Sequence, residues 1–365
     1  MTTILTQSRS QSATAPARPL AAAGRAIGLW LVMLCVMVMV MVMLGGVTRL
    51  TDSGLSIMEW KPIMGTLPPL SDAAWEEVFA LYRQIAEYKH VNAGMTLDAF
   101  KEIFWWEYFH RLWGRLLAVA FAGPLLWFWF KGYLGRRDLP RLFGLFALGA
   151  LQGVAGWFMV ASGFQDRIDV SQYRLVIHLM LALAIFGLML WYALDYLDTA
   201  PLRGNRDETV ALARHARWMN IVIAFEIALG GLVAGTDAGF IYNDFPRMNG
   251  HWLSPDLFLL SPWWTNFTEN VATIQFQHRL FSGFVAIAVI SFLVRLRRRD
   301  IDPVLKRRAI ALPCALAAQA FLGITTLMLV VPISLAVLHQ LGAFVLLGAG
   351  LALQHGLQRR LTGAA

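Results

Sequence analysis

Eight runs of about 20 apolar residues constrain the fold of this chain more than any other feature of its sequence. The runs cover residues 27–47, 109–130, 141–161, 174–195, 217–235, 274–294, 309–330 and 334–354. A helix of that length and composition spans the hydrocarbon core of a lipid bilayer. Only 15% of the 365 residues are charged, whereas soluble domains are about one quarter charged. We therefore predict an all-α polytopic membrane protein, and we do not interpret its net charge of +8 as nucleic-acid binding.

The charged residues predict how the spans are oriented. Most Lys and Arg residues fall in the two tails and in the loops after the second, fourth and sixth spans, and they are densest at 295–299 and 306–308. Most acidic residues fall in the other loops. By the positive-inside rule, both termini are cytoplasmic. Residues 1–26 are then a disordered cytoplasmic tail and 356–365 a second tail. The expected location is the inner membrane of a bacterium, with the mitochondrial inner membrane as the alternative.

The sequence contains one internal repeat. Four matches occur in the same order: Gly45-Gly46 with Gly230-Gly231, Thr51-Asp52 with Thr236-Asp237, His110-Arg111-Leu112 with His278-Arg279-Leu280, and Gln152 and His178 with Gln319 and His339. Because each copy holds four spans, the copies are parallel and related by an axis along the membrane normal. We predict two pseudo-two-fold related four-helix bundles. The N-terminal half, 27–197, carries a long outer loop, 48–108, and a cytoplasmic linker, 198–216, joins it to the C-terminal half, 217–355.

Four of the eight histidines form two pairs at equivalent positions of the repeat. His110 and His178 make one pair and His278 and His339 the other, and all four lie where an even-numbered span begins at the outer face. Two imidazoles on facing helices of a bundle are what a six-coordinate haem iron needs. Zinc would take three or four protein ligands. The other four histidines fall in loops or tails and are expected at the surface; they are His90, His215, His251 and His355.

Only the first half has an acidic residue beside its histidine. Glu107 precedes His110 by three residues, so both side chains share one face of a helix, and the equivalent residue of the second half is Gln275. A carboxylate at this position could move a proton or stabilise a cation. The alternative is an ion pair with Arg111 at i,i+4. Arg111 and Arg115 are also candidates for contacts with haem propionates.

Glu226 in the fifth span is a further carboxylate inside the predicted membrane region. Such residues are functional by default, because an ionisable group in lipid is costly. Two interpretations stay open for it. The carboxyl group is either protonated and hydrogen-bonded, or it faces a proton path.

Three segments of the chain resemble haem A synthases, in particular their alphaproteobacterial and mitochondrial branch. The segments are Gly45-Gly-Val-Thr-Arg-Leu-Thr-Asp-Ser-Gly-Leu-Ser-Ile-Met-Glu-Trp-Lys-Pro, Gly65-Thr-Leu-Pro-Pro and Glu107-Tyr-Phe-His-Arg-Leu-Trp-Gly-Arg. Members that carry cysteine pairs in the outer loops are less similar, because Cys35 and Cys314 lie in apolar runs here. The resemblance implies an enzyme that oxidises the C8 methyl group of haem O to a formyl group, which gives haem A for cytochrome oxidase.

The resemblance also implies roles for individual residues. His278 and His339 would be axial ligands of a bound haem B. His110 and His178 would line or ligate the haem O site, and Glu107 would lie beside the reacting methyl group. A partnership with haem O synthase is expected, because haem O is insoluble and better handed over than released. Homo-oligomerisation is left open.

Two other functions compete with the enzyme. The first is a di-haem b-type electron-transfer cytochrome, for which matched halves are expected, and the difference between Glu107 and Gln275 counts against it. The second is a transporter, for which polar groups near the bilayer midplane are expected. Here the polar residues lie at the outer ends of the spans, so the transporter is least favoured.

Overall fold

Eight long helices dominate the computed structural model, which describes residues 17–60, 64–164, 168–198 and 206–362. All eight are long and apolar enough to cross a membrane, which confirms the predicted number of spans. We label them α1 to α8: Ala17–Leu50, Leu97–Phe130, Asp138–Val160, Gln172–Leu197, Arg206–Gly235, Val271–Arg297, Ala311–Met328 and Ile333–Thr362. The described residues contain no β-strand, so the prediction of an all-α protein is confirmed.

Several helices extend beyond the apolar runs that predicted them. α1 begins at Ala17, so the prediction of a disordered tail is wrong for residues 17–26, while residues 1–16 lie outside the described part of the chain. α5 begins inside the predicted linker, and α8 continues to Thr362. The physical reason is that alanine and the long charged residues favour helix as well as apolar residues do. An apolar run therefore marks the membrane-crossing part of a helix and not its ends.

The two halves repeat the same helix neighbours. In the first half, α1 packs against α2 and α4, and α3 packs against α4. In the second half, α5 packs against α6 and α8, and α7 packs against α8. The halves meet where α4 contacts α5 and α8, and where α1 contacts α8. This arrangement is consistent with the predicted pseudo-two-fold axis, which would pass between the four inner helices α1, α4, α5 and α8.

Burial follows the same repeat. In the most apolar 18-residue stretch of each helix, 44% of the residues of α1 and 39% of those of α5 are buried, against 6% for α3 and 11% for α7. Large apolar side chains cover the exposed faces of the peripheral helices, among them Phe143, Trp157 and Phe321. Exposed apolar surface of this extent fits a lipid environment. The protein is therefore a multi-pass membrane protein.

The loop between α1 and α2 forms a small domain at one end of the helices, which we call the outer domain after the orientation predicted from the basic residues. It contains a short helix, Asp72–Tyr82, and the Ser71 hydroxyl caps this helix by accepting from the N–H of Ala74. A second short helix, Ala86–His90, follows. The first helix packs on the part of α2 that extends past the apolar run, through a cluster of Trp75, Phe79, Tyr82, Phe100 and Phe104, and Tyr88 of the second helix contacts Phe79 and Tyr82. The remaining short elements are the helices Asn266–Glu269 and Pro303–Arg308 and the 3-10 turns Met64–Thr66, Ala238–Phe240 and Trp263–Thr265.

Candidate functional site

Each of the four predicted histidines packs against a glycine of the preceding long helix. The pairs are Gly45–His110, Gly156–His178, Gly230–His278 and Gly323–His339, and a Cβ added at the glycine would lie 3.2, 3.0, 3.2 and 2.6 Å from the nearest ring atom. The glycines therefore leave the space that the imidazoles occupy. The pairs are equivalent between the halves, because odd helices supply the glycines and even helices the histidines.

The histidine pair of the second half has the geometry of a two-ligand metal site. The ring centroids of His278 and His339 are 6.5 Å apart, and the ring planes are nearly perpendicular at 84°. One metal ion fits between them at nitrogen–metal distances of about 2 Å. Within the described residues, Nδ1 of His339 has no hydrogen-bond partner. Both rings are half-buried, so the donor set fits a haem iron.

In the first half, His178 has a polar neighbour on α3. The side-chain amide nitrogen of Gln152 lies 3.1 Å from Nδ1 of His178, and it also donates to the backbone carbonyl of His178 at 3.1 Å. His110 packs on α1 through Gly45. These two histidines thus take the same places in the first half as His278 and His339 take in the second.

Glu107 lies in a network of hydrogen bonds beneath the outer domain and is only 2% exposed. Its Oε1 accepts from Nε and Nη2 of Arg111 at 2.9 and 2.6 Å. Its Oε2 accepts from the Ser56 hydroxyl and the Ile57 N–H, both at 2.7 Å. The ion pair with Arg111 is therefore formed, as one interpretation of the sequence predicted. A catalytic role is compatible with this ion pair and stays a prediction.

The guanidinium of Arg111 also binds backbone carbonyls of the first outer loop. Its Nη2 donates to the carbonyl of Ile57 at 2.6 Å, and its Nη1 donates to the carbonyl of Glu59 at 2.9 Å. Arg115 is half-buried one turn further along α2. Contacts of these two arginines with haem propionates stay predictions.

The second half contains the same arrangement, in which an arginine binds both the side chain one turn earlier and the backbone of the preceding loop. We call this arrangement the clamp, and in the second half it has an amide in place of the acid. Nη2 of Arg279 donates to Gln275 Oε1 at 2.7 Å and to the carbonyl of Tyr242 at 2.6 Å. Its Nη1 donates to the carbonyl of Asp244 at 3.0 Å. In the repeat, Tyr242 and Asp244 are equivalent to Ile57 and Glu59. The clamp is therefore common to both halves, and the acid is what distinguishes the first.

The carboxylate of Glu226 contacts a predicted haem ligand, which sequence reasoning did not find. Its Oε1 lies 3.0 Å from Nδ1 of His278. The two residues are on different helices, so their contact depends on how α5 is rotated about its axis. The sequence feature from which this contact could have been predicted is the position of Glu226 one helical turn before Gly230. The equivalent residue one turn before Gly45 is Met41.

A cluster of charged groups joins the two halves at their outer ends. Nη2 of Arg49 binds both carboxylate oxygens of Asp237, at 2.9 and 3.0 Å. Nη1 of Arg49 lies 3.4 Å from Asp52 and 3.6 Å from Asp169. The pKa of Asp52 is raised, mainly because the residue is buried. The charge of Arg49 lowers this pKa, and the carboxylates of Asp169 and Asp237 raise it further. The cluster links the ends of α1 and α5 with the loop between α3 and α4.

The structure corrects the expectation for one of the other histidines. His355 is buried at 1% exposure, and its Nε2 lies 2.8 Å from Oδ1 of Asp195. The expectation of a surface histidine was wrong because α8 continues past the apolar run and buries this residue. His215 is half-buried beside Ser291, whereas His90 and His251 are exposed as expected.

Comparisons with known proteins show the family to which the chain belongs. The chain matches the family model described as cytochrome oxidase assembly protein over residues 28–351. The protein named "Heme A synthase" of Nitrosospira multiformis is 46% identical over 339 residues, which are 93% of this chain and 95% of that protein. The protein of the same name from Rhodospirillum centenum is 45% identical over 341 residues, covering 93% and 91%. That of Chelativorans sp. strain BNC1 is 45% identical over 320 residues, covering 88% of each. The matched residues include all four paired histidines.

Proposed function

The chain belongs to the haem A synthase family of cytochrome oxidase assembly proteins, and we propose on this premise that it oxidises the C8 methyl group of haem O to a formyl group. The observation that supports this most strongly is that the two halves repeat the same histidine pair but differ at a residue beside it. Two equivalent pairs of half-buried histidines pack on glycines, and the residue that accepts from the arginine one turn later is an acid, Glu107, in the first half and an amide, Gln275, in the second. Two haem sites, of which one carries out chemistry, account for both features.

We propose that the second half holds haem B between His278 and His339. When bound, haem B supplies reversible one-electron transfer at its iron. α6 and α8 carry the two imidazoles, whose ring centroids are 6.5 Å apart. Gly230 and Gly323 allow these rings to lie close to the backbones of α5 and α7.

We propose that the first half holds the substrate, haem O, with its iron at His110 and His178. Conversion of the methyl to a formyl group takes two successive two-electron oxidations. With water as the oxygen donor, each one turns a C–H bond and a water molecule into a C–OH group, two protons and two electrons, and the electrons leave to an external acceptor. The resulting hydrate then loses water. Each oxidation removes a proton from the substrate, and positive charge develops at the reacting carbon. Glu107 lies one turn from His110, where its carboxylate would accept that proton or stabilise that charge. Four hydrogen bonds fix the carboxylate in place, and the outer loop shields it from water.

The test is conversion of haem O in cells. A strain with haem O synthase but without its own haem A synthase would express this chain, and its haems would be extracted and separated. We expect haem A to appear in place of haem O. If the chain accumulates in the membrane at normal levels and only haem O is recovered, the proposed activity is wrong. A stable low-spin haem spectrum in the same membranes would then favour the electron-transfer cytochrome.

We further propose that the protein lies in a bacterial inner membrane with both termini in the cytoplasm, and that it receives haem O from haem O synthase. The segregation of basic residues supports the orientation. Single cysteines at Leu70 in the outer domain and at Arg298 in the basic loop would be labelled with a membrane-impermeant maleimide in intact spheroplasts. We expect label at position 70 only, and the reverse pattern would invert the topology.

A further inference from the structure

Glu226 and Gly230 lie on the same face of α5, one turn apart, and both contact the imidazole of His278. Gly230 leaves space for the ring, since a Cβ there would lie 3.2 Å from Cε1. Glu226 places Oε1 3.0 Å from Nδ1, with the Glu226 side chain 12% exposed and the His278 side chain 24% exposed. α5 therefore presents both a space and an acceptor to this one histidine.

The carboxylate has little else to interact with. Across the residues that the structure describes, neither oxygen of Glu226 has an aligned hydrogen-bond donor, and Nδ1 of His278, at 3.0 Å, is the polar atom that Oε1 contacts. A carboxylate in a membrane-spanning helix is costly, and such groups are normally paired. The contact with His278 is thus the one interaction that accounts for an acid at this depth.

The fold itself does not require the acid. The equivalent position on α1 is Met41, and α1 packs against α2 as α5 packs against α6. His110 still packs on Gly45 there, and α1 places no carboxylate beside it. Glu226 is therefore a property of the second half's site and not of the helix packing.

We propose that Glu226 is a positioning residue for His278. It accepts a hydrogen bond from Nδ1–H and so directs Nε2 toward the iron of the haem B that the proposed function, on which this inference rests, assigns to His278 and His339. Metal-ligating histidines commonly donate their second N–H to a carboxylate, which fixes the tautomer and strengthens the ligand. A stronger ligand stabilises the oxidised iron. Glu226 therefore lowers the reduction potential of the haem in the second half.

The test uses the full-length, haem-loaded protein with Glu226→Met, which copies the first half, and Glu226→Gln, which keeps an acceptor oxygen without the charge. The readouts are the midpoint potential from a spectroelectrochemical titration and the EPR g-values of the oxidised haem. We expect both variants to shift the potential upward, Met more than Gln, and Met to change the g-values. Asn220→Ala is the matched control, because Asn220 lies on the same helix and bonds Gln354 instead of His278. Its potential should not change.

An unchanged potential and EPR spectrum in Glu226→Met would overturn the inference. If that variant binds no haem, Glu226→Gln decides in its place: an upward shift supports the role and an unchanged potential rejects it. His278→Ala and His339→Ala separate this result from the proposed function. If these two variants keep the low-spin spectrum, the haem B assignment is wrong whatever Glu226 does. If they lose it while the Glu226 variants match the wild type, only the role of Glu226 fails.

Discussion

Glu107 and Gln275 take the same position in the two halves with opposite hydrogen bonding. The carboxylate accepts from the Ser56 hydroxyl and the Ile57 N–H, while the amide of Gln275 donates to the carbonyl of Ala238 at 2.7 Å and also to that of Ile241. Both residues accept from the arginine one turn later. The clamp on the outer loop therefore forms with either side chain, and an acid is not needed for folding at this position.

This comparison gives the sharpest test of Glu107. We expect Glu107→Gln to keep its contact with Arg111, since Arg279 keeps the same contact with Gln275 at 2.7 Å. Haem B content should be normal, while the rate of haem A formation falls by about 100-fold or more, the usual effect of removing a group that transfers protons. The measurement is haem A formed per unit of protein over time. Glu76→Gln, which removes an exposed acid from the outer domain, is the control and should keep its activity. A normal rate in Glu107→Gln would show that the carboxylate has no catalytic role.

A methyl group at Gly323 should weaken haem binding in the second half. The Cβ of Gly323→Ala would lie 2.6 Å from Cε1 of His339, so the ring must move away from its position. Overpacking of this kind costs about 1–3 kcal/mol, or roughly 10- to 100-fold in affinity. The measurement is the haem-to-protein ratio after purification. Gly144→Ala on the equivalent helix α3 is the control, because no atom lies within 4 Å of its Cβ. Full haem occupancy in Gly323→Ala would contradict the packing argument.

The sequence was informative about which histidines take equivalent places in the two halves and less so about what they contact. The repeat was enough to predict that His110 and His178 correspond to His278 and His339, and each of these histidines packs on a glycine of the preceding long helix. The clamp by Arg111 was not predictable, since its acceptors are backbone carbonyls that no residue type identifies. The contact of Glu226 with His278 joins α5 and α6. It depends on how α5 is rotated about its axis, and the pattern of apolar residues does not predict that rotation when all faces of a helix are apolar.

Hydropathy predicts that the long helices are present but not where they begin and end. Every apolar run corresponds to a helix, because lipid requires the backbone to satisfy its own hydrogen bonds. The start of α2 is set instead by a polar cap, since Thr96 Oγ1 accepts from the N–H of Ala99 at 3.3 Å. Residues 97–108 consequently belong to the helix although the apolar run begins at 109. This extension is what the outer domain packs on.

The outer domain should be less stable at higher pH. Burial raises the pKa of Glu87 to about 7, against the opposing hydrogen bond that it accepts from the Tyr82 hydroxyl at 2.6 Å. The folded domain therefore prefers the protonated acid, while the unfolded chain ionises near its ordinary pKa of about 4.3. The stabilisation is complete below that value and is lost as the pH rises through 7, with a change of about 3–4 kcal/mol.

Hydrogen exchange would measure this change. After correction for the intrinsic effect of pH, amides of residues 72–104 should exchange faster at pH 8 than at pH 5.5. Glu87→Gln, which stays neutral, should remove the difference. Amides in the core of α5 serve as the internal reference. Equal protection of the outer domain at both pH values in the wild type would argue against a protonated Glu87.

Arg49 joins the two halves through a contact that the repeat does not duplicate. Arg49 of α1 binds Asp237 at the end of α5, whereas the residue equivalent to Arg49 is Ala234. Asp52 and Asp237 are equivalent residues, and both have left-handed backbone conformations, with φ of 48° and 53°. The repeat could be predicted from the sequence, but which helices form the contact between halves could not. All eight runs are apolar, so nothing in composition separates the inner helices from the peripheral ones.

Removing Arg49 should loosen the contact between the halves. The Arg49 side chain is 16% exposed and that of Asp237 is 47% exposed, and the pair is bidentate. We expect a coupling energy of about 1 kcal/mol in a double-mutant cycle of Arg49→Ala and Asp237→Ala, measured by thermal unfolding in detergent. Arg49→Ala should be the more destabilising single change, since it leaves Asp52, Asp169 and Asp237 together without their cation. The coupling should shrink in high salt, because part of the pair is exposed. Additive effects of the two substitutions would mean that the pair does not stabilise the joined halves.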